Sequence, residues 1–145
     1  MRLVETGCQR YPQRMSEPTV FLNGQFLPAS QGVLPWYDAG FVMGATVAEQ
    51  LRTFAGKLFR LDEHLARMQR SLEIVGVQPE LPLGEFPFVA AELVARNFPL
   101  LPQGSDLGLC MFVTPGPYLA MAGDVPAEPT VAMHTYPLPF HLWAA

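Results

Sequence analysis

Residues 46–77 read TVAEQLRTFAGKLFRLDEHLARMQRSLEIVGV. Residues 46–54 carry Thr and Val and alternate loosely in polarity, which predicts a β-strand. Ala, Glu, Gln and Leu also favour helix, so 46–53 taken alone reads either way. Ala55-Gly56-Lys57 is a turn, and 58–61 returns as the second arm of a hairpin. Asp62 then caps an amphipathic helix that runs to about Val75. Its core stripe is Leu61, Leu65, Met68, Leu72 and Val75, and Gly76 ends it.

On the N-terminal side, two short apolar runs at 20–22 and 25–27 flank Asn23-Gly24. That dipeptide accepts the two positive φ angles of a type I′ turn, so 20–27 is a second hairpin, stopped by Pro28. Residues 31–44 form a loop with Trp36 and Tyr37, and a helical turn falls near 38–43. On the C-terminal side, a Pro-rich linker at 78–82 leads to a helix near 84–97, with Phe88, Leu93 and Val94 as its apolar residues and Pro99 beyond its end. Residues 107–114 are nearly all apolar and read as a buried strand, broken by Pro115-Gly116-Pro117. A flexible stretch at 120–129 precedes a last strand at 130–136, after which 137–145 trails off. The order predicts an α+β fold, a two-layer domain whose mostly antiparallel sheet comes from hairpins, with helices on one face. Residues 1–17 are expected to be a disordered or extended tail, 18–139 the domain, and 140–145 the start of a linker.

The chain has 145 residues, about one domain. Its hydrophobic share is 50% and its charged share 15%, against roughly 25% charged in an average soluble domain. Two readings remain open: a domain with a large face meant to be covered by another domain or subunit, or a compact Pro-rich monomer. The net charge of -4 and pI near 5.2 leave no basic stripe for nucleic acid. Cys8 and Cys110 make no metal or CxxC spacing, so a reducing cytoplasmic setting is the default. No apolar run reaches the ~18 residues of a membrane span, and the N-terminus lacks the apolar core of a signal peptide.

His64, Arg67 and Ser71, at i, i+3 and i+7, share a stripe beside the apolar one. An arginine bordering a core face presents a rigid fork of donors that suits a phosphate or carboxylate. It is equally an ordinary arginine laying its stem over apolar surface. Glu49 and Arg52 are an odd number of positions apart, so on a strand they point to opposite faces. Arg52 then faces either a ligand cavity or solvent. Lys57, the only lysine, sits in a glycine turn and is expected to be solvated, which rules it out as a Schiff-base lysine, since that role requires a desolvated amine. No GxSxG, P-loop or GxGxxG is present. His134 and His141 flank an apolar segment and read as structural.

Several pieces occur together and in order: FLNGQFLP, VLPWYDAGFVMGATVAEQLRTFAGKLFRL, DEHLARMQRSLEIVGV with its His-x-x-Arg-(x)3-Ser spacing, LCMFVTPG, and TVAMHTYPLP. This ordered set, spanning most of 20–139, resembles the N-terminal domain of class IV aminotransferases, the fold-type IV pyridoxal-phosphate enzymes. These include branched-chain and D-amino-acid aminotransferases and aminodeoxychorismate lyase. The resemblance implies that Arg67 binds the cofactor phosphate and that Arg52 lies near the substrate. It implies that Met43, Ala48 and Pro115 stand where relatives often carry a tyrosine, an aromatic and, in D-amino-acid enzymes, a carboxylate-binding arginine, which argues against the standard D-amino-acid pocket. It also implies that the catalytic residue, a Schiff-base lysine, belongs to a C-terminal domain beyond Ala145. The expectation is a cytoplasmic homodimer that transfers an amino group between an amino acid and a 2-oxo acid when complete. The 145-residue chain would then be inactive alone. An aminodeoxychorismate-lyase-like reaction and a non-catalytic interaction domain are the alternatives.

Overall fold

The computed structural model describes residues 17–138; all of the expected N-terminal tail but Glu17, and the expected interdomain linker, with Cys8 and His141, lie outside the described residues. The opening hairpin pairs β1 (Thr19–Leu22) with β2 (Gln25–Pro28). Asn23 and Gly24 take φ of 44° and 86°, the pair of positive angles that a type I′ turn demands. A short helix α1 (Ala39–Val42) follows, with Asp38 as its N-cap.

Residues 47–54 settle as a strand, β3 (Val47–Phe54), paired to the two-residue β4 (Lys57–Leu58). The long helix is α2 (Leu61–Val75). Its N-cap is Arg60 in the left-handed region, not Asp62, which lies in the first turn. There its charge still meets the positive end of the helix. Gly76 closes the helix in the left-handed conformation. The chain reversal brings Val77 against the core in the place expected for Val75, which is exposed.

A 3-10 turn (Leu83–Glu85) precedes α3 (Phe86–Asn97). Phe86, Val89, Ala90, Leu93, Val94 and Asn97 are buried, a helical stripe at i, i+3, i+4, i+7, i+8 and i+11. Phe88 lies about 200° round from Phe86 at ~100° per residue and is exposed rather than apolar core. The next strand is β5 (Asp106–Thr114). The stretch expected to be flexible holds a short helix, α4 (Leu119–Ala122). The last strand, β6 (Thr130–Leu138), continues past Tyr136. Only Ala132 and Met133 of β6 pair with β1, so the end of β6 is an edge where Pro137 costs no ladder on that side.

The strands form one six-stranded sheet in the order β2-β1-β6-β5-β3-β4, with every pairing antiparallel. Directly paired residues share a face. Val47, Val113 and Val131 line up on one face, as do Leu51 with Leu109 and Met111 with Met133 and Phe21. These residues join Met68 and Leu72 of α2 and Phe86, Val89, Ala90 and Leu93 of α3 in a single core. Both long helices therefore cover the same face, and the α+β, two-layer expectation holds. Asn97, buried at the end of α3, ties that helix to the sheet. It accepts from the Thr19 amide at 2.8 Å and donates to the Thr19 carbonyl at 2.7 Å and to Thr135 Oγ1 at 2.8 Å.

Elsewhere, Asp38 and Pro117 form an isolated antiparallel bridge, and the Tyr118 amide donates to Tyr37 O at 2.8 Å. The two loops joined in this way present Trp36, Phe41, Met43, Leu119 and Met121 to solvent. No helix among the described residues is long and apolar enough to cross a membrane.

Candidate functional site

The site grows from the alternation of β3. Val47, Glu49, Leu51 and Thr53 point to the helix-covered face, and Glu49 lies in register with Met111. A carboxylate on an apolar face needs its hydrogen bonds filled or its charge becomes very costly. Glu49 is only 4% exposed and is met by two side chains of α2. Arg67 donates through Nε at 2.6 Å and through Nη2, so its fork grips both carboxylate oxygens. His64 Nδ1 lies 2.8 Å from Oε2. His64 and Arg67 both reach Glu49 because they are one turn apart on the helix.

The hydrogen bond from Arg67 is the main cause that holds the Glu49 carboxyl below its ordinary range. Burial opposes it, and the His64 hydrogen bond and the two neighbouring charges reinforce it. Arg67 is correspondingly raised, first by the hydrogen bond to Glu49. A carboxyl held below its unfolded value of about 4.3 contributes its full stability above that value, and loses it as pH falls through the folded pKa. The stability gap between the wild type and Glu49→Gln is therefore expected to be constant above about pH 5 and to shrink on acidification. Urea midpoints of both proteins between pH 7 and pH 3 test this, and a gap that stays constant to pH 3 would contradict it.

Arg67 remains 60% exposed at its outer edge. It opens on a groove of about 480 Å³ lined by Arg60, Glu63, His64, Ala66, Arg67 and Arg70. Arg60 is bonded to Glu63, with Nε donating at 2.6 Å. Arg70 makes no hydrogen bond or ion pair to any described residue. Three guanidinium groups and one imidazole around one groove suit an anion.

Arg52 sits on the other face of the sheet, as the odd spacing from Glu49 requires. Its Nη2 lies 3.6 Å from Asp106 Oδ2, its Nε donates to Thr53 O at 3.1 Å, and its guanidinium lies 3.8 Å from the Phe54 ring centroid. Burial raises the Asp106 pKa. Hydrogen bonds from Thr53 and from the Gly56 and Ala55 amides, with the Arg52 charge, outweigh burial and leave it lowered. Arg52 lines a second groove, of about 310 Å³, with Gln50, Phe59, His64 and Tyr136. The Tyr136 ring lies across Gly108, where a Cβ would meet it at 2.2 Å, and its hydroxyl donates to Gln50 Oε1 at 3.3 Å. His64 borders both grooves and is the link between the two arginines.

Ser71 is half-buried and takes no part in this ring of hydrogen bonds. Lys57 is exposed on its hairpin. His134 lies partly exposed on the open sheet face, in register with the buried thiol of Cys110, whose pKa burial raises. No group of three or more His, Cys, Asp or Glu among the described residues could hold a metal ion. The spacing of residues missed Glu49 as the partner of Arg67. The available signal was a charged residue in phase with Val47, Leu51 and Thr53 on one strand.

No family model matches the chain. The D-alanine aminotransferase of Bacillus licheniformis is 32% identical over 121 residues, covering 82% of this chain and 41% of that protein. The D-alanine aminotransferase of Staphylococcus aureus is 33% identical over 78 residues, 54% of this chain and 28% of that protein. Among solved structures, a hypothetical aminotransferase from Mycobacterium tuberculosis, in a PLP-bound form, aligns with a TM-score of 0.72 and 20% identity. That alignment covers 87% of this chain and 42% of the other. The sequence relatives and the shared fold bear out the resemblance to the N-terminal part of class IV aminotransferases. The chain spans well under half the length of the relatives it matches.

Proposed function

We propose that this chain is the N-terminal part of a pyridoxal-phosphate-dependent class IV aminotransferase, in which Arg67 contacts the cofactor phosphate and Arg52 borders the substrate. The observation that carries this reading is the guanidinium of Arg67, locked by its inner edge on the buried Glu49 and open at its outer edge to a basic groove. A phosphate dianion fits there. Of the five N–H donors of a guanidinium, two are taken by Glu49, Nη2 also lies 3.3 Å from His64 Nδ1, and the two on Nη1 are left for a ligand. Arg60 and Arg70 add positive charge in the same groove.

Pyridoxal phosphate, when bound, supplies a carbonyl that takes up the amino group and a ring that withdraws electrons from the substrate α-carbon. This chain's share is to hold and orient. Arg67 fixes the phosphate end, and His64 walls both grooves. Arg52, held by Asp106 and stacked on Phe54, sets a positive charge beside the second groove. Lys57 is exposed on its hairpin, so the amine that anchors the cofactor would come from a C-terminal domain outside these residues, and the chain alone would not catalyse. The substrates would be an amino acid and a 2-oxo acid. The apolar surface of Trp36, Phe41, Met43, Leu119 and Met121 would be covered by that domain or by the mate in a cytoplasmic homodimer.

The complete protein, saturated with pyridoxal phosphate and given an amino acid and a 2-oxo acid, is expected to exchange the amino group between them. Pyruvate release from aminodeoxychorismate without a 2-oxo acid would instead mark the lyase chemistry of the same fold. Failure of both would leave a non-catalytic interaction domain and overturn the proposal.

A further inference from the structure

Glu49 stands where an apolar side chain would complete the core, facing Met111 and Met133 across the sheet. Replacing a buried ion pair by well-packed apolar residues is often neutral or stabilising. Stability alone is therefore a poor reason for a carboxylate at this position. A pair kept for stability would also bury both members, whereas Glu49 is 4% exposed and Arg67 60%. One end of the pair is anchored in the core, and the other is presented to solvent. No buried side-chain nitrogen or oxygen among the described residues lacks a partner, so the anchor is complete before any ligand arrives.

The inner edge of Arg67, Nε and Nη2, is committed to Glu49. An arginine carries several rotatable bonds, and a free one samples many orientations of its fork. With two donors fixed on a rigid strand, the plane of the guanidinium is set, Nη2 lies 3.3 Å from His64 Nδ1, and the two donors of Nη1 carry no protein hydrogen bond among the described residues. The same carboxylate accepts from His64 Nδ1 at 2.8 Å. In the neutral ring this leaves Nε2 as the acceptor, pointing away from Glu49.

We propose that Glu49 is a positioning residue of the anion site: it preorganises Arg67 for a phosphate group and fixes the ring of His64 between the two grooves. The inference rests on the reading of Arg67 as a phosphate ligand. It carries a sign that separates it from the opposing role. If Glu49 merely competed with the ligand for Arg67, removing its charge would tighten phosphate binding. If it positions Arg67, removing the charge weakens binding, because the fork must be ordered at the ligand's expense.

The test uses the complete protein, freed of pyridoxal phosphate, with inorganic phosphate as the probe, followed through arginine Nε–H resonances. In the wild type, the Arg67 Nε–H is expected to exchange with solvent at least about tenfold more slowly than that of Arg70, which lies one turn on and serves as the internal standard. Glu49→Gln is expected to weaken phosphate binding by about tenfold and to bring the Arg67 Nε–H to the Arg70 rate, with the backbone amide spectrum of the sheet unchanged. Binding by Glu49→Gln equal to or tighter than wild type would overturn the inference. So would a wild-type Arg67 Nε–H that exchanges as fast as Arg70, a measurement that stands even if the variant fails to fold. Arg67→Ala separates the two levels. If it binds phosphate as the wild type does, the reading of Arg67 fails; if it loses binding while Glu49→Gln does not, only the role of Glu49 fails.

Discussion

Asp38→Ala is expected to lose about 4 kcal/mol of folding stability, most of what a marginal domain has. Asp38 is fully buried. Its Oδ1 accepts from the Gly40 amide at 2.7 Å, and its Oδ2 accepts from Thr130 Oγ1 at 2.8 Å and Thr114 Oγ1 at 3.0 Å. Thr114 and Thr130 are direct cross-strand partners at the ends of β5 and β6. One carboxylate thus closes a helix cap and binds the loop before β3 to the middle of the sheet. Alanine would leave three donors without this acceptor in a closed site, each costing about 1–3 kcal/mol. Asn keeps the shape and one acceptor, and the hydroxyls can turn to accept from its amide, so Asp38→Asn is expected to cost about 1–2 kcal/mol. Denaturant midpoints at pH 7 measure both. A loss below about 1 kcal/mol for Asp38→Ala would show that the loop is held by something else.

On the proposed function, Arg67→Ala in the complete protein is expected to raise the pyridoxal phosphate concentration for half-maximal amino transfer by about a hundredfold, the scale of a lost charge-assisted, multidentate phosphate contact. Arg67→Lys keeps the charge and loses the fork. It cannot hold Glu49 by two donors and present others to a ligand, so an intermediate loss of about tenfold is expected. The rate at saturating cofactor is expected to change little, because the phosphate end is remote from the reacting carbon. A variant that binds pyridoxal phosphate as the wild type does would remove Arg67 from the phosphate site. A variant that lost rate without losing affinity would move it to the chemistry.

What was legible in the sequence follows from local rules. The Asn23-Gly24 turn needs only the φ preferences of two residues. The strand period of two by itself puts Glu49 and Arg52 on opposite faces. The apolar stripe of α2 predicted Met68 and Leu72 in the core. Other features depend on where elements cross. That α2 lays His64 and Arg67 over Glu49 is set by helix–sheet packing, and no spacing within either segment encodes it. The same holds for Arg52 and Asp106, which meet because β3 and β5 are neighbours. Phe88 and Val75 are exposed against expectation for a simpler reason: apolar residues at helix ends and on back faces carry no mark that says solvent. The buried role of Asp38 was visible only as a residue before a helical turn, since its hydroxyl partners come from distant strands.

The most direct measurement is a crystal structure of the complete protein with pyridoxamine 5′-phosphate bound. Phosphate oxygens are expected within hydrogen-bond distance of Arg67 Nη1, with Glu49 still gripping Nε and Nη2. A phosphate held elsewhere, with Arg67 turned to solvent, would contradict it.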